Sequence, residues 1–139
     1  MIRSALATDV KALKRLLGQL GYPDLDDDLV LQKIRLHQNG TYRLLVYETG
    51  ERVVGFIALH WFELIHLRSS LGRISAFCVD EEFRSQGIGS ALLEAAESML
   101  AAMGCGKIEV TSNAKRLDTH AFYLGRGYKE DSKRFVKYS

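Results

Sequence analysis

At 139 residues the chain has the length of one ordinary domain, long enough to bury a hydrophobic core and too short for two, so a single domain over residues 1–139 is expected. Nineteen Lys and Arg against seventeen Asp and Glu give a net charge of +2, too small an asymmetry for nucleic acid to be the main partner, and no run approaches the roughly 18 apolar residues of a membrane span. The start MIRSALATDVKAL lacks the apolar core of a secretory leader, and Cys78 and Cys105 are too few for a disulfide framework and lack the paired spacing of a zinc site; reduced thiols, no metal and a cytoplasmic location are expected.

In chain order, Ile2 to Ala5 reads as a short strand, and Thr8 stands as an N-cap before Val10, Leu13, Leu16 and Leu17, whose spacing makes one apolar helical stripe. Gly18, Gly21 and Pro23 end that helix. Asp26, Asp27 and Asp28 place acids at the positive end of a second helix carrying Leu29, Leu31, Ile34 and Leu36, with Gly40 as its stop. The period then changes. Tyr42 to Glu48 and Arg52 to His60 are rich in β-branched and aromatic residues on either side of Thr49-Gly50-Glu51, the pattern of a β-hairpin. Trp61 to Leu71 is less regular, and its Trp61, Phe62, Leu64 and Ile65 either cover the core or form an exposed apolar patch through which a homodimer would pair.

Arg73 to Val79 reads as a buried strand, followed by the acidic turn Asp80-Glu81-Glu82 and then by FRSQGIGS, Phe83 to Ser90. Ile88, Leu92, Ala95, Met99 and Met103 recur at helical spacing until Gly104 and Gly106, and Lys107 to Thr111 is a further strand. A short helix from about Leu117 to Leu124 and a closing pair of strands, Gly127 to Asp131 and Lys133 to Tyr138, complete the chain. The order β-α-α-β-β-β-α-β-α-β-β predicts a mixed α and β domain, a central sheet with helices on both faces and one strand-helix-strand crossover around Gly87.

FRSQGIGS lies at the entrance of the crossover helix, where free N–H donors and a partial positive charge favour an anion and glycine lets phosphate oxygens approach the backbone. No lysine follows Gly87 or Gly89, so the Walker pattern fails; Leu92 stands where the dinucleotide fingerprint needs its third glycine. The remaining pattern is Arg-x-x-Gly-x-Gly after a strand and a short acidic turn, carried by Arg84, Gly87 and Gly89.

Through CVDEEFRSQGIGSALL and VTSNAKRLDTHAFYLGRGYKEDSKRFVK, with the helix pair and hairpin before them, the chain resembles the GNAT superfamily of N-acetyltransferases over nearly its whole length. Within it, LHWFELIH and TSNAKRLDTHAFYLGRGY most resemble the small bacterial aminoalkylphosphonate N-acetyltransferases and their relatives. The resemblance implies a mixed, mostly antiparallel sheet of six to seven strands and acetyl-CoA as cosubstrate. It implies that Arg84 and the backbone amides of Ser85, Gln86, Gly87, Ile88, Gly89 and Ser90 hold the pyrophosphate. The strand through Phe77, Cys78 and Val79 would pair with the pantetheine arm, in a splay between two parallel strands, and Asn113 would fix the arm or the loop.

The implied reaction is direct acetyl transfer to the primary amine of a small molecule. An alkyl thiol has a pKa of about 8.5 and tyrosine about 10, so a placed tyrosine can protonate the departing sulfur. Tyr123 matches the superfamily's general acid, the alternative being a core aromatic like Phe122; a backbone N–H near Val79 is the oxyanion donor. The aminoalkylphosphonate group carries carboxylates on the strand before the loop, whereas Arg73-Ile74-Ser75-Ala76-Phe77 has none, which speaks against a strand-borne base and against metal-assisted binding. Candidates for the base are Glu63, His60, His66 and Glu109, or water, with His60 and His120 also readable as structural residues. Lys115, Arg116 and Arg134 could receive an acceptor's phosphonate, phosphate or carboxylate, contact the coenzyme, or form a solvated face. Cys78 on a buried strand is not expected to be a nucleophile. Two alternatives remain: a protein N-terminus or lysine as acceptor, and a non-catalytic acyl-CoA-binding module.

Overall fold

The structure, a computed structural model, describes residues 1–111, 117–131 and 134–139. The expected helices and strands up to β5 form where their patterns place them, though Leu36 and Met103 of the expected helical stripes are exposed. β1 (Ile2–Ser4) runs through a 3-10 turn (Ala7–Asp9) into α1 (Val10–Leu20), and α2 (Asp27–Leu36) follows. The hairpin is β2 (Tyr42–Thr49) and β3 (Arg52–Phe62); then come β4 (Ser70–Val79), a 3-10 turn (Glu81–Phe83), α3 (Ile88–Ala102), β5 (Cys105–Val110) and α4 (Leu117–Gly125).

Caps set the helix boundaries. Thr8 lies inside the first 3-10 turn and does not cap α1; Asp9 holds the N-cap position without a side-chain bond to α1, its carboxylate accepting instead from the Leu6 N–H at 2.7 Å and from the Arg3 guanidinium at 2.8 and 2.9 Å. Gly18 stays within α1, which stops at Gly21 in the left-handed region at φ 113. The Asp26 carboxylate caps α2 by accepting from the Leu29 N–H at 2.8 Å.

The strands form one sheet in the order β1-β2-β3-β4-β5, antiparallel except for the parallel β4–β5 pair joined through α3. Apolar residues of the strands alternate between two cores. Leu45, Ile57, Leu59 and Ile74 pack under Leu92, Leu93, Ala96 and Leu100 of α3, while Val46, Val53, Phe56 and Cys78 pack under Leu13 and Leu16 of α1 and Val30 and Ile34 of α2. Helices therefore cover both faces, as the element order predicts. A bulge interrupts β4: Ala58 pairs with Ala76 but Leu59 with Ile74, which leaves Ser75 as the extra residue.

The strand count is a correction. Five strands are present among the described residues, and the closing pair expected over Gly127 to Asp131 and Lys133 to Tyr138 is not among them. Residues 127–131 and 134–139 are irregular, and Phe135, Val136 and Tyr138 are exposed at 96%, 57% and 90%, so their β-favouring side chains gain no burial to hold a strand. The apolar patch also shrinks. Trp61 packs against the α3-side core under the Arg43 guanidinium, and Phe62 stacks on His60 under Arg73; Ile65 alone of the four is fully exposed.

Candidate active site

The hydrogen-bond ladder between the two parallel strands ends at Ile74 opposite Val110, while β4 runs on to Val79. The two strands therefore part at the bulge, and the last residues of β4, Phe77 to Val79, line a cleft of about 620 Å³. Its other walls are the loop from Glu81 to Ser90, Gln19 at the end of α1, and Thr119, Phe122, Tyr123 and Arg126 of the α4 segment.

A buried carboxylate sets the loop in place. Asp80, 1% exposed, pairs with Arg15 of α1, lies 3.4 Å from Arg52 of β3 and accepts from the Glu82 N–H at 3.1 Å. Burial pushes its carboxyl up, but the Glu82 N–H and the Arg15 guanidinium together outweigh that and hold the pKa below the usual carboxylate range. Gln19 Oε1 accepts from the Glu81 N–H at 3.0 Å, so α1 grips the turn twice. Arg84 Nε then donates to the Val79 carbonyl at 3.0 Å, folding the loop back on the end of β4. Ser85 at φ 64 and Gly87 at φ 83 turn the chain through the left-handed region into α3.

Phe77, Cys78, Val79, Arg84, Ser85, Gly87, Gly89, Ser90 and Tyr123 of the expected site converge on this cleft. Gln86 is exposed and outside the lining, and Ile88, expected to serve through its backbone amide, buries its side chain at 5% exposure in the α3 core and is not part of the lining either. The Cys78 thiol is buried and points to the Leu16 carbonyl at 3.5 Å, the setting of a packing cysteine. Asn113 lies outside the described residues, as do Lys115 and Arg116; Arg134 is exposed and not part of the lining.

Tyr123 lies both in the core and at the cleft. It is 9% exposed within the α3-side core, its ring 5.6 Å from Phe122, 6.4 Å from Phe77 and 5.7 Å from Tyr128, yet it borders the cleft. Tyr128 braces it: its N–H donates to the Tyr123 carbonyl at 3.1 Å and its hydroxyl to Glu97 Oε2 at 2.8 Å.

None of the four candidate bases lines the cleft. His60 stacks between Tyr42 and Phe62, with ring centroids 5.1 and 5.3 Å away, and burial followed by the Arg73 and His37 charges lowers its pKa. Glu109 is paired with Arg73, Glu63 accepts from the Ser70 hydroxyl, and His66 is exposed. Among the described residues no group of three or more His, Cys, Asp or Glu could hold a metal ion, and no helix is long and apolar enough to cross a membrane. Sequence reasoning missed Gln19, Glu81, Phe83, Thr119, Phe122 and Arg126 as lining residues; within AFYLGRGY it singles out Tyr123 as the site residue.

Residues 9–128 match the model of the acetyltransferase (GNAT) family. The chain belongs to this family. It is a GNAT N-acetyltransferase, an acyltransferase of the family whose members use acetyl-CoA. It is 36% identical to the aminoalkylphosphonate N-acetyltransferase of Salmonella typhimurium, covering 98% of this chain and 89% of that protein. Among solved structures, a protein from Bacillus halodurans described as a transcriptional regulator has a TM-score of 0.90 at 22% identity, covering 100% of this chain and 99% of that one. An aminoglycoside N-acetyltransferase in complex with CoA has a TM-score of 0.83 at 18% identity, covering 100% and 93%. These two likenesses are of the GNAT fold alone.

Proposed function

We propose that this GNAT enzyme transfers acetyl directly from acetyl-CoA to the primary amine of a small anionic molecule. The observation that carries the reading is the convergence, on one cleft, of Phe77 to Val79 and the Arg84 to Ser90 loop that follows it with Tyr123, which comes from a helix much later in the chain. The CoA complex of a fold relative supports the coenzyme, and the name of the 36% identical relative supports an aminoalkylphosphonate-like acceptor.

In this reading the diphosphate sits at the loop and the pantetheine arm runs along the β4 edge where β5 departs. The neutral amine nitrogen attacks the thioester carbonyl carbon; the C–N bond forms, the C–S bond breaks, and the sulfur leaves with its electron pair. Tyr123 supplies a proton to that sulfur, and the amine releases its own to water. A backbone N–H at the end of β4 steadies the oxyanion. Cys78, buried against α1, takes no acetyl group.

The test is a thiol-release assay with acetyl-CoA and a panel of aminophosphonates, polyamines, aminoglycosides and amino acids. Aminophosphonates should release coenzyme fastest, and Tyr123→Phe should lower kcat at least about tenfold while acetyl-CoA affinity changes little, since acid catalysis is worth 10² or more. Tight acetyl-CoA binding with no coenzyme released by any amine of the panel would sink the enzymatic reading of this cleft.

A further inference from the structure

Arg126 follows α4 and lines the cleft beside the end of the loop. Its Nη2 donates to the Ser90 hydroxyl, across 36 positions of sequence, and its guanidinium carbon stands 5.3 Å from the centre of the Phe122 ring. Among the described residues no carboxylate is paired with it, and none is paired with Arg84, whose Nε is taken by a neutral carbonyl. Two guanidinium groups therefore face one carboxylate, Glu81, on this lining, whereas Arg3, Arg15, Arg52 and Arg73 each have an acidic partner. Guanidinium carries five N–H donors, and Ser90 takes one of them. A cation held on a ring face, with donors to spare and no counter-charge of its own, fits an anion delivered by a ligand.

We infer that Arg126 is a coenzyme-binding residue that grips the diphosphate from the α4 side, closing with Ser90 the ring of donors that the Arg84 to Ser90 loop begins. The inference rests on the proposed acetyl-CoA reading of the cleft and adds to it a side-chain contact from a segment that comes late in the chain. The diphosphate is the part of the coenzyme it serves, because Ser90 ties the guanidinium to the loop itself. Such a contact makes affinity sensitive to salt and to the shape of the cation, since arginine's fork meets phosphate oxygens two at a time and lysine's point charge does not.

Calorimetric titration of the full chain with acetyl-CoA, its 3′-dephospho form and S-acetylpantetheine tests this, with Arg126→Ala, Arg126→Lys and the unaltered protein side by side. Arg126→Ala should weaken acetyl-CoA and the 3′-dephospho form by the same factor, about tenfold or more, and leave S-acetylpantetheine unchanged; Arg126→Lys should lose less. A loss confined to acetyl-CoA moves the contact to the 3′-phosphate and overturns the assignment. Equal losses for all three probes, or a change only in the acceptor's KM, overturn it too. An unaltered protein that binds S-acetylpantetheine as tightly as acetyl-CoA would instead overturn the phosphate-loop reading itself.

Discussion

Replacing Gly87 and Gly89 by alanine, one at a time, separates two reasons for a glycine that the sequence writes identically. Gly87 has φ 83 and nothing within 4 Å of where a Cβ would stand, so its cost in a variant is purely conformational. The left-handed backbone costs an L-residue roughly 1–2 kcal/mol, and the stiffer unfolded chain of the alanine variant returns about 0.4–1 kcal/mol. A net loss of about 1 kcal/mol should lower Tm by about 4 °C in a chain of this size. Gly89 is different: its backbone is ordinary helix, and a Cβ would meet Phe77 Cζ at 3.6 Å, Val79 Cγ2 at 3.7 Å and Phe122 Cζ at 3.9 Å, all normal contacts. Alanine is also the better helix former, so Gly89→Ala should keep or raise Tm. Phe77, Val79 and Phe122 all line the cleft, and the new methyl occupies space the coenzyme is proposed to use. Overpacking of that kind should weaken acetyl-CoA about tenfold. Thermal unfolding and calorimetric titration of the two variants give both answers. If Gly89→Ala unfolds as early as Gly87→Ala, or binds acetyl-CoA unchanged, the distinction fails.

Asp80→Asn should cost about 1–3 kcal/mol in urea unfolding, because Arg15 and the Glu82 N–H keep their places against a neutral amide. The Asp80 pKa is lowered in the folded chain, so the stabilisation is complete above the unfolded carboxylate value of about 3.9 and is lost as pH falls through the folded value. The gap between the two proteins should be flat from about pH 6 to 8 and narrow below about pH 4; a gap that holds at pH 3 contradicts the ion pair's role. Tyr128→Phe removes the hydroxyl bonded to Glu97 and should cost about 1 kcal/mol. Burial, then Glu97, pushes that phenol above the usual range, so ultraviolet titration should show a late-ionising tyrosine that the variant lacks. His60→Phe keeps the stack with Tyr42 and Phe62 while removing Nδ1, a buried atom with no hydrogen-bond partner among the described residues, so Tm should hold or rise. A loss above about 1 kcal/mol would show that the nitrogen is bonded after all.

What the sequence made legible follows the range of the interaction. α1, α2 and α3 are readable because a 3.6-residue stripe such as Leu13 and Leu16 marks a helix locally; in α3 the expected stripe of Ile88, Leu92, Ala95, Met99 and Met103 finds the helix, while the buried face turns to Leu92, Leu93, Ala96 and Leu100 and leaves Met103 44% exposed. The loop is readable because the left-handed turn at Gly87 is a property of one residue. Phe135, Val136 and Tyr138 misled because β-favouring side chains describe a surface that suits a sheet without supplying the neighbouring strand. Arg126 was hidden for the opposite reason: its place depends on α4 bringing it back beside Ser90, and no local pattern marks such a contact.

The Ser75 bulge connects these scales and decides the chemistry of the cleft. With strict alternation from Ile74, which packs under α3, Ala76 and Cys78 would face α3, and Phe77 and Val79 would face α1. The extra residue reverses this: Ala76 and Cys78 join the α1 core, and Phe77 and Val79 join the α3 side together with Phe122 and Tyr123. The thiol is thereby buried against Leu16, on the face opposite Phe77 and Val79, and an apolar wall faces Tyr123. The bulge lies next to the last β4–β5 pair, Ile74 with Val110, so the change of facing and the parting of the strands occur at one place. A period-two reading of Arg73 to Val79 finds the strand yet gives its last residues the wrong faces, because one unpaired serine leaves no mark on composition. Pairing with β3 is what exposes it, and the cleft depends on that pairing as much as on the glycines of the loop.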